Sequence, residues 1–319
     1  MTDPHASQWR AWRAALASPR MHHAWILAGR KGLGKHDFAL AAAREIVALD
    51  RDAPVGENDP DILLLSHLPK DDKEAKKAEK GEAFETKRNI AIEQVRAMQA
   101  RLNTRPTLGP HRAIIINPAD DLERNAANAL LKSLEEPPQG TFFLLVTHRP
   151  GMLLPTIRSR ARILRFNPLP MGAVEEALRA ENRTADDAEI SQAARASGGA
   201  PGAGLLFLAQ ELAPAEALMR RIASEGDPDF TLRGKLGEEI GARPNRERLS
   251  ATLDLARTVL AQKLEQLDRH DIPSLVDAHS RLVTISGQAK SYNFDPAFLA
   301  MEIGTLLASA APHRAGANG

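Results

Sequence analysis

The stretch GRKGLGKH, Gly29–His36, decides how the first half of the chain is read. It follows an apolar run, AWILAG (Ala24–Gly29), and leads into a helix-length segment, HDFALAAAREIVAL (His36–Leu49). Strand, glycine-rich turn and helix is the setting in which G-x-x-x-x-G-K-[ST] works as a phosphate loop. The glycines let backbone N–H groups turn inward on phosphate oxygens, the lysine reaches the β and γ oxygens, and the final hydroxyl ligates magnesium. Gly29, Gly32, Gly34 and Lys35 meet the first two requirements. His36 stands where the hydroxyl belongs. Magnesium is a hard ion that takes oxygen ligands in near-octahedral geometry, so an imidazole there leaves the loop's shape intact and impairs metal placement.

Outward from this loop, short apolar runs alternate with helical patterns: DILLL (Asp61–Leu65), RAIIIN (Arg112–Asn117), TFFLLVT (Thr141–Thr147) and the weaker RILRF (Arg162–Phe166), with helix-length segments at His36–Leu49 and Ala91–Leu102. Continuous apolar runs suit strands buried on both faces, and their alternation with helices predicts an α/β domain with an open parallel sheet. After Phe166 no strand-like run remains. NPLP (Asn167–Pro170) reads as a linker, GGAPGAG (Gly198–Gly204) as a break, and Leu249, Leu253, Ala256, Val259, Leu260, Leu264 and Leu267 keep a helical period. The expected organisation is an α/β P-loop domain over 1–166, a small helical lid over 167–210, an all-helical domain over 211–312 and a disordered tail over 313–319. The densely charged segment Lys70–Arg88 reads as a solvated loop or frayed helix.

Composition sets limits on function. Forty-two basic residues against 41 acidic ones leave a net charge near +1, so the chain is not a polycation built to coat nucleic acid. There is no cysteine, which excludes disulfides, thiolate metal sites and a cysteine nucleophile. The segment MTDPHASQWRAW has no apolar core of a signal peptide, and no run approaches a membrane span, so a cytoplasmic protein is expected. The ten histidines are scattered; His22 and His23 are adjacent rather than a turn apart, and no metal site is expected.

A second magnesium element normally ends another strand with a carboxylate pair. Here AIII is followed by Asn117 and Pro118. Asn117 cannot balance a divalent charge, and Pro118 has no carboxylate to orient a water. With His36, two parts of the hydrolytic apparatus are lost. Asp120 and Asp121 follow closely, at a spacing that suits a helix N-terminus.

The run NAANALLKSLEEPPQGTFFLLVTHRPGMLLPTIRSRARILRF, Asn125–Phe166, closely resembles the clamp-loader branch of AAA+ proteins of bacterial DNA polymerase III. HHAWILAGRKGLGK, DPDILLL, IAIEQVR and, near the C-terminus, YNFDPAFLAMEIGTLL also fall where that family has its motifs, so the likeness covers nearly the whole chain. The resemblance implies the following. Arg160 and Ser159 match a Ser-Arg-Cys motif that projects an arginine into the ATP site of a neighbouring subunit, with Ala161 in place of the cysteine. Thr147 and His148 lie near the first sensor position, and Gly202 stands where a second sensor arginine is usual. The four zinc-binding cysteines frequent in the family are missing, so no zinc is expected, no cofactor is required, and ATP or ADP is bound weakly if at all. The implied partners are the gamma/tau ATPase subunits and delta in a hetero-pentameric ring, with the sliding clamp and primer-template DNA met through the complex, no membrane, and a place in the nucleoid-associated replisome. The degenerate magnesium elements favour a member that does not hydrolyse ATP; the alternative is an active ATPase of the gamma/tau type.

Beside the resemblance, the residues have plainer readings. RSRARILR holds Arg158, Arg160, Arg162 and Arg165, and only the motif singles out Arg160 from a surface arginine at a strand start. Leu122, Ala126, Ala129, Leu130 and Leu134 share a helix face, and the corner Glu135-Glu136-Pro137-Pro138 ends that helix, since the residue before proline avoids the α region. Contacts from this corner to a neighbouring subunit are a further implication of the family. Arg101, Arg105 and Arg112 are candidates for DNA contact because they cluster in sequence.

Overall fold

A computed structural model describes residues 4–264, 270–289 and 294–311. The expected tail over 313–319, Leu267, and Tyr292 and Asn293 lie outside the described residues. The chain divides into two compact units, Met1–Pro168 and Leu169–Gly319.

The first unit runs α1 (Ala6–Leu16), β1 (Ala24–Ala28), α2 (Lys35–Val47), β2 (Ile62–Leu65), α3 (Asp72–Glu79), α4 (Ile92–Leu102), β3 (Arg112–Ile116), α5 (Arg124–Glu135), β4 (Thr141–Thr147), α6 (Pro155–Arg158) and β5 (Arg162–Arg165). The five strands form one parallel sheet in the order β2-β3-β4-β1-β5. Every residue of β1 and β3 is buried, as continuous apolar runs require when helices cover both faces. Alternation within the strands divides the burial. Ile26, Ile114, Ile116, Phe143 and Leu145 join Val95 and Met98 of α4 and Leu130 and Leu134 of α5 in one cluster. On α1 and α2, Trp12 lies edge-on to Trp25 at 5.5 Å, and Phe38 edge-on to Phe166 at 5.0 Å. Trp12 Nε1 donates to Glu45 Oε2 at 3.0 Å, which fastens α1 to α2.

Two expectations need correction, and the reading of the charged segment is sharpened. The charged segment after Lys70 contains a defined helix, α3. Asp71 caps it by accepting from Glu74 N at 3.0 Å, and Pro69 and Thr86 pair across its base. Its charges hold one another, with Lys70 on Glu85 at 2.6 Å and Lys77 on Glu74 at 2.7 Å. Arg112 is not a DNA-facing residue. It is 2% exposed and donates to the carbonyls of Arg101 at 2.6 Å, Thr104 at 3.2 Å and Arg105 at 2.9 Å. Beside it the buried Asp61 accepts from Thr107 N at 2.6 Å and Leu108 N at 2.7 Å, so the two charges pin the loop before β3. Finally, Asp120 and Asp121 do not begin a long helix; they sit in a short 3-10 turn, Ala119–Asp121.

The second unit contains α7 (Met171–Glu181), α8 (Asp187–Ala196), α9 (Pro201–Ala209), α10 (Ala213–Glu225), α11 (Thr231–Ile240), α12 (Arg246–Lys263), α13 (Ile272–Gln288) and α14 (Pro296–Ala308), with no strand among the described residues. The expected break is shorter than GGAPGAG: Gly198 and Gly199, at φ 59 and 82, make the turn, and Pro201 already opens α9. Gly204 lies within α9, where a Cβ would come 3.0 Å from Leu178. Val174, Leu178 and Ile190 share one apolar cluster with Met219, Leu236, Leu260 and Ile303. Among the described residues no helix is long and apolar enough to cross a membrane.

Candidate nucleotide site and arginine site

Because the strands are parallel, the segments leaving β1, β3 and β4 emerge at the same edge of the sheet, where open α/β sheets take their ligands. Gly29 N donates to Thr147 O at 3.2 Å, tying the loop to the end of β4. A side chain at Gly29 would put its Cβ 2.5 Å from the Phe166 carbonyl oxygen, so close packing of backbone excludes anything larger. Gly32 and Gly34 hold φ 84 and 69, the left-handed region that lets the loop turn into α2. The glycine pattern of the motif is thus present as geometry.

Lys35, the first residue of α2, is 3% exposed. Its Nζ donates to Arg30 O at 2.5 Å, across its own loop. Burial lowers its pKa to about 8, with the charge of Asp120 acting the other way.

His36 and Asn117, which the sequence shows only as two separate departures, meet. Asn117 Nδ2 donates to His36 Nδ1 at 3.0 Å, across 81 positions of chain. Asn117 is anchored by its N–H to Leu65 O at 2.9 Å, and its bond to Pro118 is cis. A nitrogen lone pair already accepting and a neutral amide do not make the oxygen cage that magnesium takes. The metal does not fit these residues.

Asp120 is the member of the site whose role the sequence did not reveal. Its carboxylate accepts from Thr147 Oγ1, from His148 N at 2.6 Å and from Arg149 N at 3.2 Å. It therefore binds the end of β4 to the turn after β3. The only trace in the sequence is that Asp120 and Thr147 both lie close to the ends of apolar runs.

Arg160 and Ser159 belong to a separate group, between α6 and β5. Arg160 Nη1 donates to Thr156 O at 2.9 Å, and its Nη2 lies 2.6 Å from Glu135 Oε1 at the end of α5. Ser159 Oγ donates to the same Thr156 carbonyl at 3.1 Å. These partners are not residues of the glycine loop. Gly202 is the second residue of α9 and carries no charge. His22 and His23 stack at 4.7 Å, one ring on Ala24 O and the other on Leu134 O. Among the described residues no cluster of three or more His, Cys, Asp or Glu is arranged to hold a metal ion.

A parallel sheet in the order β2-β3-β4-β1-β5, with a glycine loop leaving β1 and leading into a helix, defines the class of P-loop α/β proteins. The chain belongs to the DNA polymerase III delta family: the family model described as "DNA polymerase III, delta subunit" matches residues 5–170. DNA polymerase III subunit delta' of Escherichia coli is 30% identical over 274 residues, covering 82% of this chain and 78% of that protein. Subunit delta' of Bacillus subtilis is 33% identical over 175 residues, covering 51% of this chain. The match spans about half of the Bacillus relative's length, 48%. The gamma/tau subunit of Mycobacterium tuberculosis is 31% identical over 209 residues, covering 63% of this chain and 35% of that protein.

Proposed function

We propose that this chain is the non-hydrolysing delta-prime subunit of a bacterial clamp loader, which helps place the sliding clamp on primed DNA and lends Arg160 to the ATP site of a neighbouring gamma/tau subunit. The observation that carries the reading is the His36–Asn117 hydrogen bond. The two positions from which the protein's magnesium ligands would come are joined to each other, nitrogen to nitrogen. Lys35 turned onto Arg30 supports the same conclusion for phosphate, so ATP or ADP is bound weakly at most and no zinc or other cofactor is required.

Charge grows on the γ-phosphoryl oxygens during transfer, and an arginine supplied by a neighbour stabilises it, by on the order of 10³–10⁵ in rate at the site served. A subunit without hydrolysis of its own retains a purpose in that arrangement. The remaining assignments follow from it: residues 167–210 act as the lid and 211–312 as the collar that joins gamma/tau and delta in a five-membered ring, in the cytoplasm at the replisome.

The test is steady-state ATP turnover. The purified chain with magnesium should show none above background, while Arg160→Ala should depress turnover by the reconstituted clamp loader. Robust turnover by the isolated chain overturns the reading in favour of an active gamma/tau-type ATPase.

A further inference from the structure

Glu135 is the last residue of α5, and Glu136 follows it at the cap. The carbonyl end of a helix carries partial negative charge and favours cations, so a carboxylate at that position is opposed by its own helix. No acid lies in the first turn of α5, where it would be favoured. The misplaced charge is compensated from outside: Arg160 Nη2 lies 2.6 Å from Glu135 Oε1. The guanidinium is then braced on its other arm, with Nη1 donating to Thr156 O at 2.9 Å and Ser159 Oγ at 3.4 Å. The proposed finger is a held residue, not a free one.

The strength of this hold decides what it can do. The two side chains are 35% and 47% exposed, and ion pairs so open to water are weak and salt-sensitive. A triphosphate carries several negative charges and presents oxygens that match the guanidinium fork, so it wins when it comes within reach. A carboxylate still at contact distance would set a negative charge beside the phosphoryl oxygens, so the two engagements exclude each other.

We propose that Glu135 is the resting partner of Arg160, a positioning residue that keeps the guanidinium neutralised against the end of α5 until nucleotide on the neighbouring subunit draws it away. This rests on the trans role of Arg160 given above. Competition of this kind reduces apparent affinity by the fraction of fingers left free, so Glu135 sets the ATP concentration at which the neighbouring site is completed.

The experiment is ATP turnover by the reconstituted clamp loader as a function of ATP concentration, with the full-length chain as wild type, Glu135→Gln, Glu135→Asp, Arg160→Ala and the Gln/Ala double variant. Glu135→Gln keeps the shape and removes the charge. It should lower half-saturating ATP by about two- to fivefold, the range that an exposed ion pair spans, and move KM more than kcat. The difference should shrink as salt rises, and Glu135→Asp, which keeps the charge, should stay nearer wild type. The double variant should match Arg160→Ala. If Arg160→Ala depresses turnover while Glu135→Gln leaves half-saturating ATP unchanged or raises it, the finger stands and the role of Glu135 falls. If Arg160→Ala has no effect, the trans role falls, and this inference with it.

Discussion

Lys35 is a cation buried beside a neutral carbonyl, and that determines how its protein responds to pH. Its pKa lies at about 8 against an ordinary 10.5 because burial disfavours the charged form. Between those values the unfolded chain holds the proton that the folded chain has released, so this lysine makes stability rise with pH across that window. Below pH 8 the fold carries the whole cost of the buried charge, about 3 kcal/mol at most for such a difference. Lys35→Met removes that cost and also the bond to Arg30. The expected result is a gain of about 1–2 kcal/mol at pH 7, read by urea denaturation, that shrinks towards zero at pH 10. A gain that persists undiminished at pH 10 contradicts the account. The neighbouring residues mark what is legible one position at a time. His36 and Asn117 each announce a loss, because each fills a motif position with the wrong chemistry. Their hydrogen bond is not legible, because nothing local relates two residues 81 positions apart. Asp120 is illegible for a similar reason: its spacing suits a cap, and only folding brings it to Thr147.

At the scale of elements, the strands are the best-written part of the chain. AWILA, RAIII and TFFLLVT are apolar over most of their length because both faces of the sheet are covered, and their bounds fall within a residue or so of the observed strands. The helix α3 is less plainly written, since it has no apolar stripe and stands on a cap and on charge pairs. Arg112 shows the limit of reading charge as exposure. It opens β3 beside Asp61, just ahead of β2, and both charges are folded inward to hold the intervening loop. Removing one member of such a buried pair leaves the other uncompensated, so Asp61→Ala should cost about 3–5 kcal/mol by denaturant titration. Asp61→Ala combined with Arg112→Met should cost less than the sum of the two single changes, since no orphan charge remains. Strict additivity would show that the two act independently.

Over the whole molecule, each unit has its own core. The cluster around Ile26, Ile114 and Leu130 draws on residues 24–157, and the cluster around Met219, Leu236 and Ile303 on residues 174–310. A segment with its own hydrophobic core can fold alone. Residues 1–168 expressed by themselves should therefore melt cooperatively in calorimetry, and a broad transition without a heat peak contradicts this. The second unit reads in sequence as a succession of helices, but periodicity shows only which face each helix buries. The pairing of those faces into one cluster depends on the tertiary arrangement.

The aromatic packing that fastens α1 has a practical consequence. The sequence contains three tryptophans, and all three lie in the first unit: Trp9 against Phe38 at 4.1 Å, Trp12 against Trp25 at 5.5 Å. The second unit has none, so indole emission from the intact chain is an optical signal of the first unit alone. Circular dichroism at the helical band sums over both. Recorded together on one sample, the two signals resolve which unit melts first, with no label attached and no residue changed.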